Sequence, residues 1–449
     1  MRLFTAFFSS AERFHQARHN PALVRRALEA VSASDYLAEL LSHHPEDIGA
    51  LDRLTSSSGG EGRWAGAPDN QMEMAIDSAV WPEPFSWIRE PGLRLADHMA
   101  LLRHEFRSRV LALGAADAAG LGSIFTALYG WSALAARAVS SAFAIARGEV
   151  QGPAQTEPRD LPFVVLALGR LGLNEFDLAC DVDLVFVADG GLSPEEATLV
   201  TSLASRTIEV LSSYTREGSV LGVDTRLRPQ GQGGELVVTE EALRNYLHSS
   251  AGVWEVMAYL KAWPVAGDRE FAGRLVKRVT QSCISRFAGN PVADPEPSRR
   301  ALPTKLLEMP GLPEKEALVP PSNTKTAPGG YYDVDFAVSY LRLRHQVALP
   351  PGTNIARQIG ALRSLGLVAE GDAKALERGA AFLRSVDHAI RLTTGRVAEG
   401  LPEHGGDAES VDALARCWNL VAEGESLPAR LRGVQQQMRS VCRRLVGSE

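Results

Sequence analysis

Apolar and polar positions repeat along this chain with two periods, and the changes between them divide it into three parts. From Leu23 to Leu41 the spacing is helical: Leu23, Val24, Leu28 and Val31, then Tyr36, Leu37, Leu40 and Leu41 behind a capping Ser34. Ser56 to Asn70 is serine- and glycine-rich and predicts an exposed loop. Helical spacing returns over Leu95 to Leu111, with Met99, Leu102, Phe106 and Val110 on one side and Arg103, Arg107 and Arg109 on a solvated side. Ala118 to Ala136 carries no charge, but it holds Gly120, Gly122 and Gly130 and is rich in alanine rather than leucine. It predicts a buried helix or helix pair, not a membrane span. This helical block ends at Ala146, and the proline-containing stretch Gly152 to Pro162 predicts a linker.

The pattern then shortens to strand length. Apolar runs at 163–168 and 182–188 predict strands on either side of a glycine turn, followed by a helix over Pro194 to Tyr214, a strand over 219–226, a short strand over 235–238 and a helix over Glu240 to Leu247. Trp254 to Trp263 predicts a further helix. The glycine-rich Gln230 to Glu235 suits either a loop over a ligand or a hairpin connection. Ala288 to Pro328 is rich in proline and polar residues and predicts a linker. From Gly329 helical spacing resumes over 333–345, 355–365, 373–393, 410–421 and 427–445, with a glycine-rich break over 399–406. The expected class is α+β: a mixed core over 156–288, an N-terminal helical region over 1–155, a linker over 289–328 and a C-terminal α-helical bundle over 329–449.

The chemistry concentrates at Gly169 to Val187. In a strand Asp181 and Asp183 share one face, while Val182, Leu184 and Phe186 share the other. Adjacent carboxylates repel, and a hard cation such as Mg²⁺ between them relieves the repulsion. The glycines just upstream, Gly169 and Gly172, permit close approach of backbone N–H groups to a phosphate. A third acid lies in Val223 to Pro229, where Asp224, Arg226 and Arg228 share one face of an extended segment. That order suits a metal ligand followed by two guanidinium clamps for triphosphate oxygens. A pair of solvated acids at a strand end and a salt-bridged edge strand are the plainer alternatives. Lys261 is placed to reach a triphosphate and Glu255 to support an arginine; as surface ions of an amphipathic helix they would do neither.

Gly169–Val187 and Val223–Pro229 resemble the nucleotidyltransferase signature of the glutamine synthetase adenylyltransferase family, enzymes that attach AMP to, or remove it from, a tyrosine of glutamine synthetase. Trp254-Glu255 with Ala258, Lys261-Ala262 and Gly267-Asp268 resembles the segment that follows in that family. Gly329 to Phe336 with Tyr340 to His345 resembles its glycine-pair, acid-x-acid-Phe helix start, and Ser34 to Leu37 with Leu102 to Ala146 its helical lead-in. The resemblance covers most of the chain, in the family's order. It implies a polymerase β-like nucleotidyltransferase core flanked by helical domains, and in-line transfer of AMP from ATP to a tyrosine hydroxyl. It implies Mg²⁺ at Asp181, Asp183 and Asp224, with Asp224 also helping to activate the attacking oxygen. Gly169, Arg170, Gly172, Cys180, Arg226, Arg228 and Lys261 would bind the nucleotide. Implied partners are glutamine synthetase and a PII-type signal protein, in the cytoplasm.

Three positions depart from the family pattern. Gly172-Leu173 stands where two adjacent glycines are usual, Cys180 where serine is usual, and Trp263 where arginine is usual. Well-known members carry two such units in tandem, one adding AMP and one removing it, and this chain has one. Asp333-Val334-Asp335-Phe336 and Tyr340 to His345 are closer to the adding unit and Lys261-Ala262 to the removing unit, so AMP addition is the expected direction, with AMP removal or a catalytically degenerate binding module as the alternatives.

Composition narrows the partners. Among 449 residues the net charge is −7, with 47 Lys and Arg against 54 Asp and Glu, and no basic block marks a nucleic-acid footprint. Cys180, Cys283, Cys417 and Cys442 are scattered without metal-ligand spacing and predict reduced thiols. Leu3 to Phe8 is too short for a secretory signal.

Overall fold

The computed structural model describes residues 10–51, 81–89, 92–120, 122–151, 161–286, 322–397 and 400–447. The segments Leu3 to Phe8 and Ser56 to Asn70, the linker from Gly152 to Asp160 and the greater part of the 289–328 linker lie outside the described residues.

Helices α1 (Ala11–His19), α2 (Pro21–Ala33) and α3 (Asp35–His43) begin the described chain. Asn20 caps α2 by accepting the Leu23 N–H at 3.1 Å, and Ser34 caps α3 by accepting the Leu37 N–H at 3.0 Å. The buried face of α2 is Leu23, Ala27 and Ala30 rather than the expected Leu23, Val24, Leu28 and Val31, and Leu28 is exposed. Helices α4 (Leu95–Ala119) and α5 (Ile124–Gln151) form the expected pair, broken at Gly120. Among the described residues no helix is long and apolar enough to cross a membrane. Arg103 corrects the expected solvated face of α4. It is buried, and its guanidinium donates to the carbonyls of Gly218 at 2.8 Å and Ser213 at 2.6 Å, so it ties down a loop whose own pairing is a single Thr215–Gly218 bridge. Arg107 is also engaged, with Asp47 and Glu217.

The sheet holds β1 (Phe163–Ala167), β2 (Val182–Ala188), β3 (Val223–Asp224), β4 (Val237–Thr239) and β5 (Trp263–Gly267). Its order is β3-β2-β1-β5, with β4 also on β2. Strand β1 is antiparallel to β2 and β5, whereas β3 and β4 run parallel to β2. Phe163 and Phe186 stack at 6.2 Å on one face, under Phe143 of α5. Asp183 belongs to the other face. Helix α6 (Pro194–Ser212) packs along α5, and its start carries the Ser193–Glu196 capping box. Helices α7 (Glu240–Ser249), α8 (Val253–Tyr259) and α9 (Arg269–Ser285) complete this part.

Three expectations fail here. The strand over 219–226 is reduced to Val223–Asp224, because a turn begins at Thr225. The glycine-rich segment is not a hairpin connection, since β3 and β4 pair with different stretches of β2 and not with each other. The helix expected to reach Trp263 stops at Tyr259, and Trp263 instead begins β5. Strand β5 and α9 have no counterpart in the expected element list.

Helices α10 (Tyr331–Arg344), α11 (Ile355–Ser364), α12 (Glu370–Thr394), α13 (Gly406–Cys417) and α14 (Leu427–Gly447) form the C-terminal bundle. Its centre is α12, buried continuously from Phe382 to Thr393 and packed against α10, α11, α13, α14 and also α3. Residues 322–328, the end of the expected linker, pack against this bundle through buried Thr324 and Ala327. The whole is a mixed α+β molecule with one continuous apolar core.

Candidate active site

The segment 169–183 has two chemically different sides. Asp181 lies just before β2 and Asp183 within it, and the parallel register sets Asp183 beside Asp224 and Val182 beside Val223. Strand alternation therefore puts the three acids on one side while Val182 goes to the core. Glycine makes room for two of these carboxylates. At Gly169 the backbone is left-handed (φ 55°), and a Cβ there would lie 2.0 Å from Asp183 Oδ2. A Cβ at Gly222 would lie 2.0 Å from Asp181 Oδ1. At Gly172 it would lie 2.2 Å from the Lys261 carbonyl oxygen, so this glycine serves close packing of the turn on the 260–262 segment.

Burial and the neighbouring Asp224 and Asp181 push the Asp183 carboxyl up to about 6, against the opposing charges of Lys325 and Lys261. Asp224 moves the other way. Arg226 donates to it from Nε at 2.8 Å and Nη2 at 2.5 Å, which holds this carboxyl below the usual range. Arg226 itself is 70% exposed. The expected shared face of Asp224, Arg226 and Arg228 does not exist, because the chain turns after Asp224. Arg228 instead fastens the glycine-rich loop by donating to the carbonyls of Thr225 at 2.9 Å, Gln232 at 3.1 Å and Gly234 at 3.2 Å. Lys261 sits just beyond α8, with its ammonium 3.7 Å from Asp335 Oδ2 on α10. Glu255 is engaged otherwise than by pairing with an arginine of the acid site. It accepts the Gly252 N–H at 2.6 Å, at the start of α8, and the Tyr246 hydroxyl at 2.5 Å.

Arg170 and Cys180 are not brought to the acids. They face inward, to a buried set of ion pairs between the core and the C-terminal bundle. Arg170 pairs with Asp387 at 2.7 Å and Asp177 at 3.3 Å. Cys180 Sγ accepts from Arg391 Nη1 at 3.3 Å, and burial pushes the thiol up. Arg384 joins Glu175 at 2.5 Å to Asp335 at 2.7 Å. His388 bridges Asp177 at 2.7 Å and Asp117 at 3.1 Å, and these carboxylates raise its imidazole to about 10 despite full burial. For Cys180, alternation along the segment leading into β2 accounts for the inward turn, since residue 180 points opposite to residues 181 and 183. Lys325 was not singled out by sequence. The Asn323-Thr324-Lys325 run just before the Gly329-Gly330 pair was the available signal.

The donor set suits a hard divalent cation: only carboxylate oxygens, and one acid pushed toward protonation by burial and its like-charged neighbours. Among the described residues no group of three His, Cys, Asp or Glu side chains is already drawn around one point. Asp224 would have to leave Arg226 to join Asp181 and Asp183.

Residues 24–277 match the family model for glutamate-ammonia ligase adenylyltransferase, which is more than half of the chain. The chain belongs to this family. Residues 311–446 match a second model, GlnD PII-uridylyltransferase. The first match takes in the three acids, the arginine turn and Lys261; the second takes in Lys325, Asp335 and the bundle. A bifunctional glutamine synthetase adenylyltransferase/adenylyl-removing enzyme of Streptomyces coelicolor is 32% identical over 73% of this chain and 34% of its own length. The protein of the same description from Streptomyces avermitilis is 30% identical over 86% of this chain and 36% of its own length. That of Leifsonia xyli subsp. xyli is 27% identical over 94% of this chain and 41% of its own length. The chain thus spans about a third of the length of the first two curated relatives it matches.

Proposed function

We propose that this chain is an adenylyltransferase unit that moves AMP from ATP to a tyrosine of glutamine synthetase in the cytoplasm. Its catalytic core would be a polymerase β-like nucleotidyltransferase unit over 156–288, between helical domains over 1–155 and 329–449. The observation that carries the reading is the β2–β3 register, which sets Asp183 beside Asp224 with Asp181 two residues away and Arg226 next to them. Likeness of the bundle to GlnD PII-uridylyltransferase supports a PII-type signal protein as a regulatory partner.

Asp181, Asp183 and Asp224 would hold Mg²⁺, which supplies positive charge for the phosphate chain. Arg226 is exposed and its guanidinium is held by Asp224 among the described residues, so an incoming triphosphate offers it a stronger anion. Its departure frees Asp224 to ligate and to accept a proton. The acceptor hydroxyl oxygen then attacks the α-phosphorus, and the bond from that phosphorus to the bridging oxygen breaks. Pyrophosphate leaves with its charge on Arg226 and Lys261, and the hydroxyl proton passes to an Asp224 carboxylate oxygen. Gly169 keeps Asp183 in place. Arg170, Gly172 and Cys180, assigned to the nucleotide by resemblance, act on this geometry from behind.

The test is the intact mass of glutamine synthetase after incubation with the chain, Mg²⁺ and ATP. A gain of one AMP per subunit is expected. No gain, together with loss of AMP from pre-adenylylated glutamine synthetase in phosphate, would reverse the assigned direction. No change in either assay would overturn the enzymatic reading.

A further inference from the structure

Two lysines meet the start of α10, and they are held differently. Lys261 has its ammonium 3.7 Å from Asp335, a carboxylate that Arg384 also holds. Lys325 approaches no carboxylate within ion-pair distance among the described residues. Its ammonium lies 4.9 Å from the centroid of the Tyr332 ring. An aromatic face attracts a cation without using its N–H donors, so all three remain available to an anion.

The backbone around Lys325 is fixed independently of any ligand. Asn323 Oδ1 accepts the N–H groups of Lys325 at 2.8 Å and Thr326 at 2.7 Å. The Lys325 carbonyl accepts the Tyr332 N–H at 3.2 Å, and the Thr324 carbonyl accepts the Tyr331 N–H at 2.9 Å. A Cβ at Gly330 would lie 2.6 Å from the Lys325 carbonyl oxygen, so only glycine lets α10 start this close. Gln435 of α14 donates to the Asn323 carbonyl at 2.9 Å. Tyr332 lies one turn before Asp335 on α10, and Asp335 holds Lys261, whose carbonyl packs on the Gly169–Gly172 turn that borders Asp183. The bundle therefore sets a half-buried Lys325 on that side of the acids, where its charge acts on Asp183.

We propose that Lys325 is a nucleotide-binding residue that takes the β- and γ-phosphates of the nucleoside triphosphate, so that the C-terminal bundle completes the site of the core. The inference rests on the nucleotidyltransferase reading above. Triphosphate oxygens would then lie between Arg226 on the exposed side and Lys325 on the bundle side, with Lys261 sharing its charge between them and Asp335.

The experiment compares calorimetric affinities for ATP and for AMP, both with Mg²⁺, in the full chain, Lys325→Met and Lys325→Arg. Lys325→Met is expected to weaken ATP binding roughly tenfold and leave AMP binding within about twofold, as loss of one charge-assisted phosphate contact implies. Lys325→Arg should recover most of the loss. Equal ATP affinity in the parent and Lys325→Met would overturn the assignment while leaving the wider reading intact. Equal weakening of ATP and AMP, with a lowered melting temperature, would show Lys325 to be structural. A parent chain that binds no ATP would remove the wider reading and this inference with it.

Discussion

The two sides of residues 169–183 use the same kinds of side chain to opposite ends. On the inner side Arg170, Glu175, Asp177, Arg384, Asp387, His388 and Arg391 are closely paired, and the pairs tie the core to α12. On the outer side three acids crowd together, and Arg226, in bidentate contact with Asp224, is an exposed arginine that can leave. A buried pair that is complete adds rigidity, because each charge would cost several kcal/mol if its partner were removed. A surplus of like charge costs stability and is retained where a ligand relieves it. The strand period alone sorts residues 180 to 183 between these two environments.

The sharpest way to break the comparison is to neutralise one acid. Asp183→Asn should lower transfer activity by roughly 10³-fold, the scale expected when a metal ligand is lost. The same change should stabilise the metal-free chain at neutral pH. The folded carboxyl titrates near 6 against an ordinary 3.8, so what it adds to stability is present below 3.8 and lost as pH rises through 6. At pH 7 its charge opposes folding, and removing it should gain on the order of 1 kcal/mol in urea unfolding. Lower stability in Asp183→Asn would refute the electrostatic account.

The inner side should respond in the opposite sense. Arg384→Met leaves buried Glu175 without its guanidinium and Asp335 with Lys261 alone, and should cost about 3 kcal/mol, read as a shift in the urea midpoint. His388 adds a pH signature. Its folded value of about 10 stands above the ordinary 6.5, so its contribution is complete below 6.5 and disappears as pH rises through 10. Asp177, held at about 2, contributes above 3.8 and loses that contribution as pH falls through 2. The pair therefore supports the fold best between these limits. The fall in melting temperature from pH 6.5 to 10 should flatten in His388→Gln. An unchanged slope in that variant would place the pH dependence elsewhere.

These two sides were not equally legible. The three acids follow from a two-residue period and a short glycine-containing turn, which local sequence carries. So do β1, β2 and the capped helices, because Ser34, Ser193 and the alternating apolar runs act within a few residues. The inner network joins residues some two hundred positions apart, such as Arg170 with Asp387, and no local pattern announces such pairs. The arginine strand was misread for a related reason. Asp224, Arg226 and Arg228 alternate like a strand, but the carboxylate binds its own neighbour's guanidinium and the chain turns. Lys325 was overlooked because it stands at the end of a proline-rich stretch, where the local Asn323 turn is set in place by contacts to the bundle. Arg103 looked like a surface charge because its partners are loop carbonyls more than one hundred residues away.

The smallest expected effect tests whether the outer side needs rigid backing at all. Tyr259, at the end of α8, donates its hydroxyl to the Leu227 carbonyl at 2.9 Å, in the middle of the arginine turn. Burial pushes this phenol well above its ordinary range, so it remains a donor across the working pH range. Tyr259→Phe removes one neutral hydrogen bond and leaves the ring, which should cost about 1 kcal/mol of stability. If the turn must be held for Arg226 to reach the phosphates, the Michaelis constant for ATP should rise several-fold while the rate at saturating ATP stays near the parent value. A purely structural tyrosine would lower the melting temperature and leave that constant unchanged. The split between the two readouts decides whether the turn acts as a fixed clamp, like the inner pairs, or as a hinge that the nucleotide itself closes.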